Sequence, residues 1–139
     1  MTIAIRYHSK TGNTKKLAGL ISEVTKVQAE TVDKPLDQPV DILFLCSAVY
    51  GAGVDSKVKD FILSLDTCKV KSVVNISTAA ILPSTYSQVA KLLKSKNIHL
   101  DEREFHCRGK FTVMHSGRPN QKDLSDLRVF IETIMEKEK

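Results

Sequence analysis

Hydrophobic positions along this chain switch between two spacings, and the alternation lays out its elements. Ile3-Ala4-Ile5-Arg6-Tyr7 is short and apolar-rich, as in a strand. Thr14, Leu17, Ala18, Ile21 and Val24 then recur at the spacing of one helical face, predicting a helix from about Asn13 to Val27. Ala29-Glu30-Thr31-Val32-Asp33 predicts a short second strand, and Pro35 and Pro39 punctuate the loop after it. Val40 to Ser47 is nearly continuous apolar sequence, the pattern of a central parallel strand covered on both faces. Val58, Phe61, Ile62 and Leu65 mark a second helix, with Asp55 or Ser56 available as N-cap. Val70 to Ser77 reads as the fourth strand, and Tyr86, Val89, Ala90 and Leu93 as the face of a third helix. Phe105 to Val113 is the expected fifth strand. Leu124, Leu127, Ile131 and Ile134 line a last helix, entered through Asn120 with Asp123 as its reciprocal capping partner.

Five strands alternating with four helices predict an α/β sandwich around a parallel sheet. Periodicity does not set the strand order. A chain of 139 residues and 15.5 kDa is expected to form one domain, residues 1–139, with a single good core. No apolar leader precedes Ile3, and no run approaches the roughly 20 apolar residues of a membrane span, so a cytoplasmic protein without membrane contact is expected. Cys46, Cys68 and Cys107 are an odd count with no close pair, which argues against a disulfide framework or a CxxC site. Cys46, inside an apolar run, is expected in the core. The net charge of +5 comes without aromatics interleaved among the lysines, which argues against nucleic-acid binding.

The candidate chemistry lies in Ser9-Lys10-Thr11-Gly12-Asn13-Thr14, between the first strand and first helix. Hydroxyls, one glycine and the positive end of a helix dipole meet there, the makings of a phosphate site. No acid lies between Met1 and Leu20, while Lys10, Lys15 and Lys16 attract an anion. Other phosphate-binding schemes fail on residue type. Gly12 stands alone where GxGxxG would be needed, and GxxxxGK[ST] is absent. The ends of the first and third strands, Tyr7-His8-Ser9 and Cys46-Ser47, lack the acids of a response-regulator receiver. The first loop also lacks the cysteine of a low-molecular-weight tyrosine phosphatase.

Ser-x-Thr-Gly-x-Thr at this junction resembles the FMN-phosphate loop of the flavodoxins. Cys107 to Phe111 and Ser116 to Asn120 are similar to the family's fifth strand and the entry to its final helix. The resemblance implies a five-stranded parallel sheet of order 2-1-3-4-5 within a three-layer sandwich. Three loops would then converge on a non-covalently bound FMN: Ser9–Thr14, Ala48–Val54 and Thr78–Ser84. It assigns the phosphate to Ser9, Lys10, Thr11, Gly12, Asn13 and Thr14, with amides from Thr11 to Thr14 and hydroxyls from Ser9, Thr11 and Thr14. Val49, Tyr50 and Gly51 would form one wall, with Tyr50 stacked on the ring and Gly51 or Gly53 offering a carbonyl to it. Ser77, Thr78, Ala79 and Ala80 would meet the pyrimidine edge, and Ile81 or Leu82 would either form an aliphatic wall in place of a second ring or fill the core. The third loop departs from short-chain flavodoxins, which usually carry a second aromatic and acids there.

What the resemblance implies is a monomeric electron carrier that serves redox partner proteins, with the flavin rather than any side chain as the reacting group. The alternatives are a small FMN-dependent quinone or NAD(P)H reductase, and a degenerate module without cofactor. The excess of Lys and Arg, 21 against 16 acids, departs from the acidic docking face usual in the family. It implies a partner with an acidic docking face.

Overall fold

The computed structural model describes residues 1–49, 53–79, 84–109 and 117–137. Its elements are β1 (Ile3–Tyr7), α1 (Asn13–Thr25), β2 (Ala29–Thr31), β3 (Val40–Val49), α2 (Ser56–Ser64), a 3-10 turn (Thr67–Lys69), β4 (Val70–Ala79), α3 (Tyr86–Ser95), β5 (Leu100–Arg108) and α4 (Gln121–Lys137). The strands form one parallel sheet in the order β2-β1-β3-β4-β5, as the resemblance implied.

Alternation along the central strands sends successive side chains to opposite faces. Leu43 and Leu45 of β3 join Val73 of β4 beneath Val58, Phe61 and Ile62 of α2 and Val89 and Leu93 of α3. Ile42, Phe44 and Cys46 join Val74 and Ile76 beneath Leu17 and Ile21 of α1 and Leu127, Ile131 and Ile134 of α4. Two helices therefore cover each face, and β3 and β4 are buried on both, which is why they read as unbroken apolar runs. Cys46 is core, and burial pushes its thiol well above the ordinary range.

Element boundaries depart from expectation where tertiary pairing sets them. β3 and β4 each run two residues further, and they pair in register to Val49↔Ala79. Thr78 and Ala79 therefore belong to a strand, not to the loop assigned to them. α1 stops at Thr25 because Lys26 turns left-handed, at φ 63, and returns its N–H to the Ser22 carbonyl. β2 is shorter than expected, ending at Thr31. β5 is the largest correction: it begins at Leu100 and ends at Arg108, whereas Phe105 to Val113 was expected. It is an edge strand with a register shift between Val73 and Asn75 of β4. Its charged residues pair along the strand itself, Arg103 donating to Asp101 at 2.9 and 2.6 Å. Half-exposed charges at such positions hide a strand from periodicity.

Among the described residues, no helix is long and apolar enough to cross a membrane. No group of three or more His, Cys, Asp or Glu among them could hold a metal ion.

Candidate functional site

The chain leaves β1 through α1 toward β2, and leaves β3 through α2 toward β4. The two connections depart to opposite sides of the sheet, so a crevice opens between the carboxyl ends of β1 and β3. In open α/β sheets, ligands bind at this switch point.

The loop on the β1 side is held from three directions. The His8 N–H donates to the Cys46 carbonyl at 3.1 Å, extending the β1–β3 pairing by one residue. The Thr14 hydroxyl, fully buried, donates to the His8 carbonyl at 2.7 Å. The Gly12 N–H donates to Ser9 Oγ at 2.9 Å. Gly12 adopts φ 91, a left-handed conformation open to glycine at little cost, and its carbonyl accepts the first helical bond from Lys16 at 3.1 Å. Two expected phosphate donors therefore have other partners. The Thr14 hydroxyl proton and the Gly12 N–H both brace the loop. The Ser9 hydroxyl, an acceptor in its contact with Gly12, keeps its own proton for an outside acceptor.

No side chain caps the start of α1. Asp55 caps α2 through the Lys57 N–H, and Asn120 and Asp123 cap α4 reciprocally. The N-cap Thr85 of α3 also makes no side-chain capping bond, but there the Tyr86 N–H is met by Ser84 Oγ at 2.9 Å. A helix leaves its first N–H groups without intrahelical partners, and together with the dipole they favour an anion. A Cβ placed on Gly12 would meet nothing within 4 Å, so the space before this helix end is open. Lys10 and Thr11 are exposed beside it, while Asn13 and Thr14 are buried.

Asp55 was not anticipated in the site. Its carboxylate lies 3.1 Å from Lys10 Nζ and 3.4 Å from His8 Nε2, so the cap of α2 also grips the first loop. The Lys57 N–H, with Lys10 and His8 alongside, holds this carboxyl below the usual range. Nothing local in the sequence brings Asp55 to Lys10; the adjacency of β1 and β3 does.

Above β3 and β4, Val49 forms an antiparallel bridge with Val54, which closes the base of the second loop. Gln88 of α3 pins that base by accepting the Val54 N–H at 2.7 Å. Tyr50, Gly51, Ala80, Ile81 and Leu82 lie outside the described residues, as do Lys110, Phe111 and Ser116. Ser77 and Thr78 point to opposite faces. Ser77 belongs to a buried network in which Ser47 Oγ and Asn75 Nδ2 each donate to Thr85 Oγ1 at 3.0 Å, while the Thr85 N–H donates to Ser77 Oγ at 3.4 Å. Its hydroxyl thus anchors the return into α3. Thr78 faces α1, where Asn13, Thr78 and Gly109 meet. A Cβ on Gly109 would lie 2.8 Å from Asn13 Nδ2 and 3.1 Å from Thr78 Cβ. Gly109 is a second residue that sequence reasoning left without a role. Its signal was only a glycine inside the strand expected from Phe105 to Val113, where a missing side chain marks a bulge or a close approach.

Arg118 makes a bidentate pair with Asp123 at 2.6 and 2.7 Å. The Asn120 N–H donates to the same carboxylate at 2.8 Å, and the Asp123 N–H returns to Asn120 Oδ1 at 2.9 Å. This is the capping box read from the sequence. Burial pushes Asp123 up, but Arg118 and the Asn120 N–H outweigh it and hold the carboxyl below the ordinary value. Burial beside Asp123 pushes the Cys107 thiol up to about 12, so it is not a thiolate at neutral pH.

Superposition on solved structures decides the architecture. A flavodoxin from the domain Archaea matches with a TM-score of 0.75 at 17% identity, over 99% of this chain and 98% of that one. The fold is that of the flavodoxins. Oxidised Flavodoxin 2 from Bacillus cereus is similar at a TM-score of 0.74 and 17% identity, over 99% of both chains. The flavodoxin fold also matches part of a larger protein, the rubredoxin oxygen:oxidoreductase of Desulfovibrio gigas. There the TM-score is 0.74 at 14% identity, over 97% of this chain and 35% of that one. No protein-family model and no curated protein matches the sequence.

Proposed function

We propose that this chain is a single flavodoxin-like domain that binds one FMN non-covalently and carries electrons between redox proteins in the cytoplasm. The observation that carries the reading is the uncapped start of α1 behind left-handed Gly12, set at the β1–β3 switch point. A phosphate fits this donor set: first-turn amides of α1, the Ser9 hydroxyl and the Lys10 ammonium. Thr14 contributes by fixing the loop through His8, and Asp55 by holding Lys10 and His8 against α2. Val49, Thr78 and Ala79 end the strands beneath the space a ring would occupy. Tyr50 and Gly51 are proposed as one wall of that space, and Ala80 and Ile81 as the other. The FMN ring system, when bound, supplies reversible redox chemistry, while the protein orients it and excludes water. Solved proteins of this fold that are named flavodoxins support a flavin, and the anion-fitting start of α1 favours its phosphorylated form, FMN.

A monomeric carrier is favoured over a reductase because the connections after β1, β3 and β4 (8–12, 50–55 and 80–85) hold no large insertion to build a substrate pocket over the ring. The test is cofactor identity followed by a paired titration. The purified protein should release FMN, identified by mass, in one-to-one ratio. Gly12→Val introduces a β-branched residue at φ 91, a strain of about 1–3 kcal/mol, and crowds the anion. It should weaken FMN at least tenfold more than riboflavin, which has no phosphate. Equal losses for both flavins would remove the phosphate from this loop. Rapid reduction of the bound flavin by NADPH would favour the reductase.

A further inference from the structure

In a parallel sheet wrapped by helices, the carboxyl ends of the strands and the amino ends of the helices share one edge. Here that edge carries Lys10 in the first loop, Lys15 and Lys16 in the first turn of α1, and Lys57 and Lys59 in the first turn of α2. These lysines sit at the wrong end of the helix dipoles, where acids are favoured and cations disfavoured. Neither α1 nor α2 has an acid in its first turn. Lys15, Lys16 and Lys59 are exposed and form no ion pair among the described residues. The two helices lie on opposite faces of the sheet, and the Lys10–Asp55 contact joins their amino ends across the edge of β1 and β3. The cations therefore border the candidate site from both faces of the sheet, with Asp55 paired to Lys10 and Asp33 paired to Lys57 among them. At α2 the Asp55 cap offsets its lysines, but at α1 no acid does, and a pattern that opposes helix stability beside the site marks a functional demand on that surface.

We propose that this lysine rim is the docking surface for a protein partner presenting a carboxylate-rich face. What passes between the two proteins rests on the flavin-carrier reading; the docking does not. A protein fits better than a nucleic acid. The rim is built from lysines, point charges suited to scattered carboxylates, rather than from arginines, whose planar forks favour phosphate and nucleic acid.

The experiment is a binding titration of the full chain, with and without FMN, against fluorescent poly-L-glutamate at low ionic strength. The rim variant is Lys16→Glu/Lys59→Glu. The control is Lys71→Glu/Lys94→Glu, exposed residues at the start of β4 and the end of α3, on the opposite edge. Both doubles change net charge equally. The rim variant restores acids to helix amino ends, so it should fold at least as well as the parent. Poly-glutamate affinity should fall at least tenfold in the rim variant and less than threefold in the control, with or without FMN. Equal losses in the two variants would reduce the rim to net charge and overturn the proposal, as would no loss in either. Tighter binding of a single-stranded oligonucleotide of matched charge would overturn it in favour of nucleic acid. A chain that binds no flavin but shows the expected contrast refutes the carrier reading and leaves the docking surface standing.

Discussion

Gly109→Ala probes the junction on which the candidate site rests. One methyl is added where β5 ends, with its carbon 2.8 Å from Asn13 Nδ2, 3.1 Å from Thr78 Cβ and 3.2 Å from Asn13 Cγ. All three are closer than carbon can approach such atoms at ease. Asn13 is 5% exposed and Thr78 2%, so neither side chain has open solvent to retreat into. Overpacking of this kind costs about 1–3 kcal/mol. At this chain length each kcal/mol lowers Tm by roughly 3–5 °C, so a fall of about 3–15 °C is expected in a thermal scan. Asn13 is the first residue of α1, so the displacement reaches the helix start proposed to hold the phosphate. FMN should weaken by about tenfold, equivalent to 1.4 kcal/mol, and riboflavin by less. A double-mutant cycle with Asn13→Ala isolates the contact: removing the amide frees two of the three close approaches, so the double variant should recover at least about 1 kcal/mol relative to additivity. Urea denaturation of the four proteins measures it. Strict additivity, or a Gly109→Ala protein as stable as the parent, would refute the three-way packing.

Thr14→Val keeps the shape of a buried side chain and removes its bond to the His8 carbonyl. The expected loss is about 1–3 kcal/mol by urea denaturation, with FMN weakened more than riboflavin; a neutral result would mean the hydroxyl does not brace the loop. Asp123 has a folded pKa below its unfolded value of about 3.9. Its contribution is therefore present above that value and lost as pH falls through the folded pKa. Stability measured from pH 6 to pH 2 should decline less steeply below pH 4 in Asp123→Asn than in the parent, and identical slopes would show that the Arg118–Asp123 pair does not contribute.

Legibility in the sequence followed the range of the forces involved. Central strands and helix faces were visible because burial on one or both faces imposes a period on nearby residues. The Asn120–Asp123 box was equally visible, being complete within four positions. The edge strand was misplaced because Asp101, Arg103 and Glu104 are half-exposed and satisfy one another or solvent, leaving no burial period to detect. The composition of Ser9–Thr14 located the loop but not the direction of its hydroxyls. Thr14 turns inward because the His8 carbonyl, one residue past β1, lies over the first turn of α1. Asp55 and Gly109 escaped because their partners stand 45 and 96 positions away, Lys10 for the one and Asn13 for the other.

The inward bond of Thr14 and the Ser9–Gly12 contact also bear on how quickly a ligand can be captured. Ordering backbone takes roughly 1–2 kcal/mol per residue, and a loop that is loose until its ligand arrives subtracts that from every binding event. Here the bends are set by the chain's own hydrogen bonds to His8 and Gly12. The ordering is completed during folding, and an arriving anion meets amides already aligned. Capture should then be a single bimolecular step, its rate proportional to concentration without a plateau from loop rearrangement. The same rigidity limits what the loop can accept, because a larger anion could enter only by breaking the bonds that hold its shape.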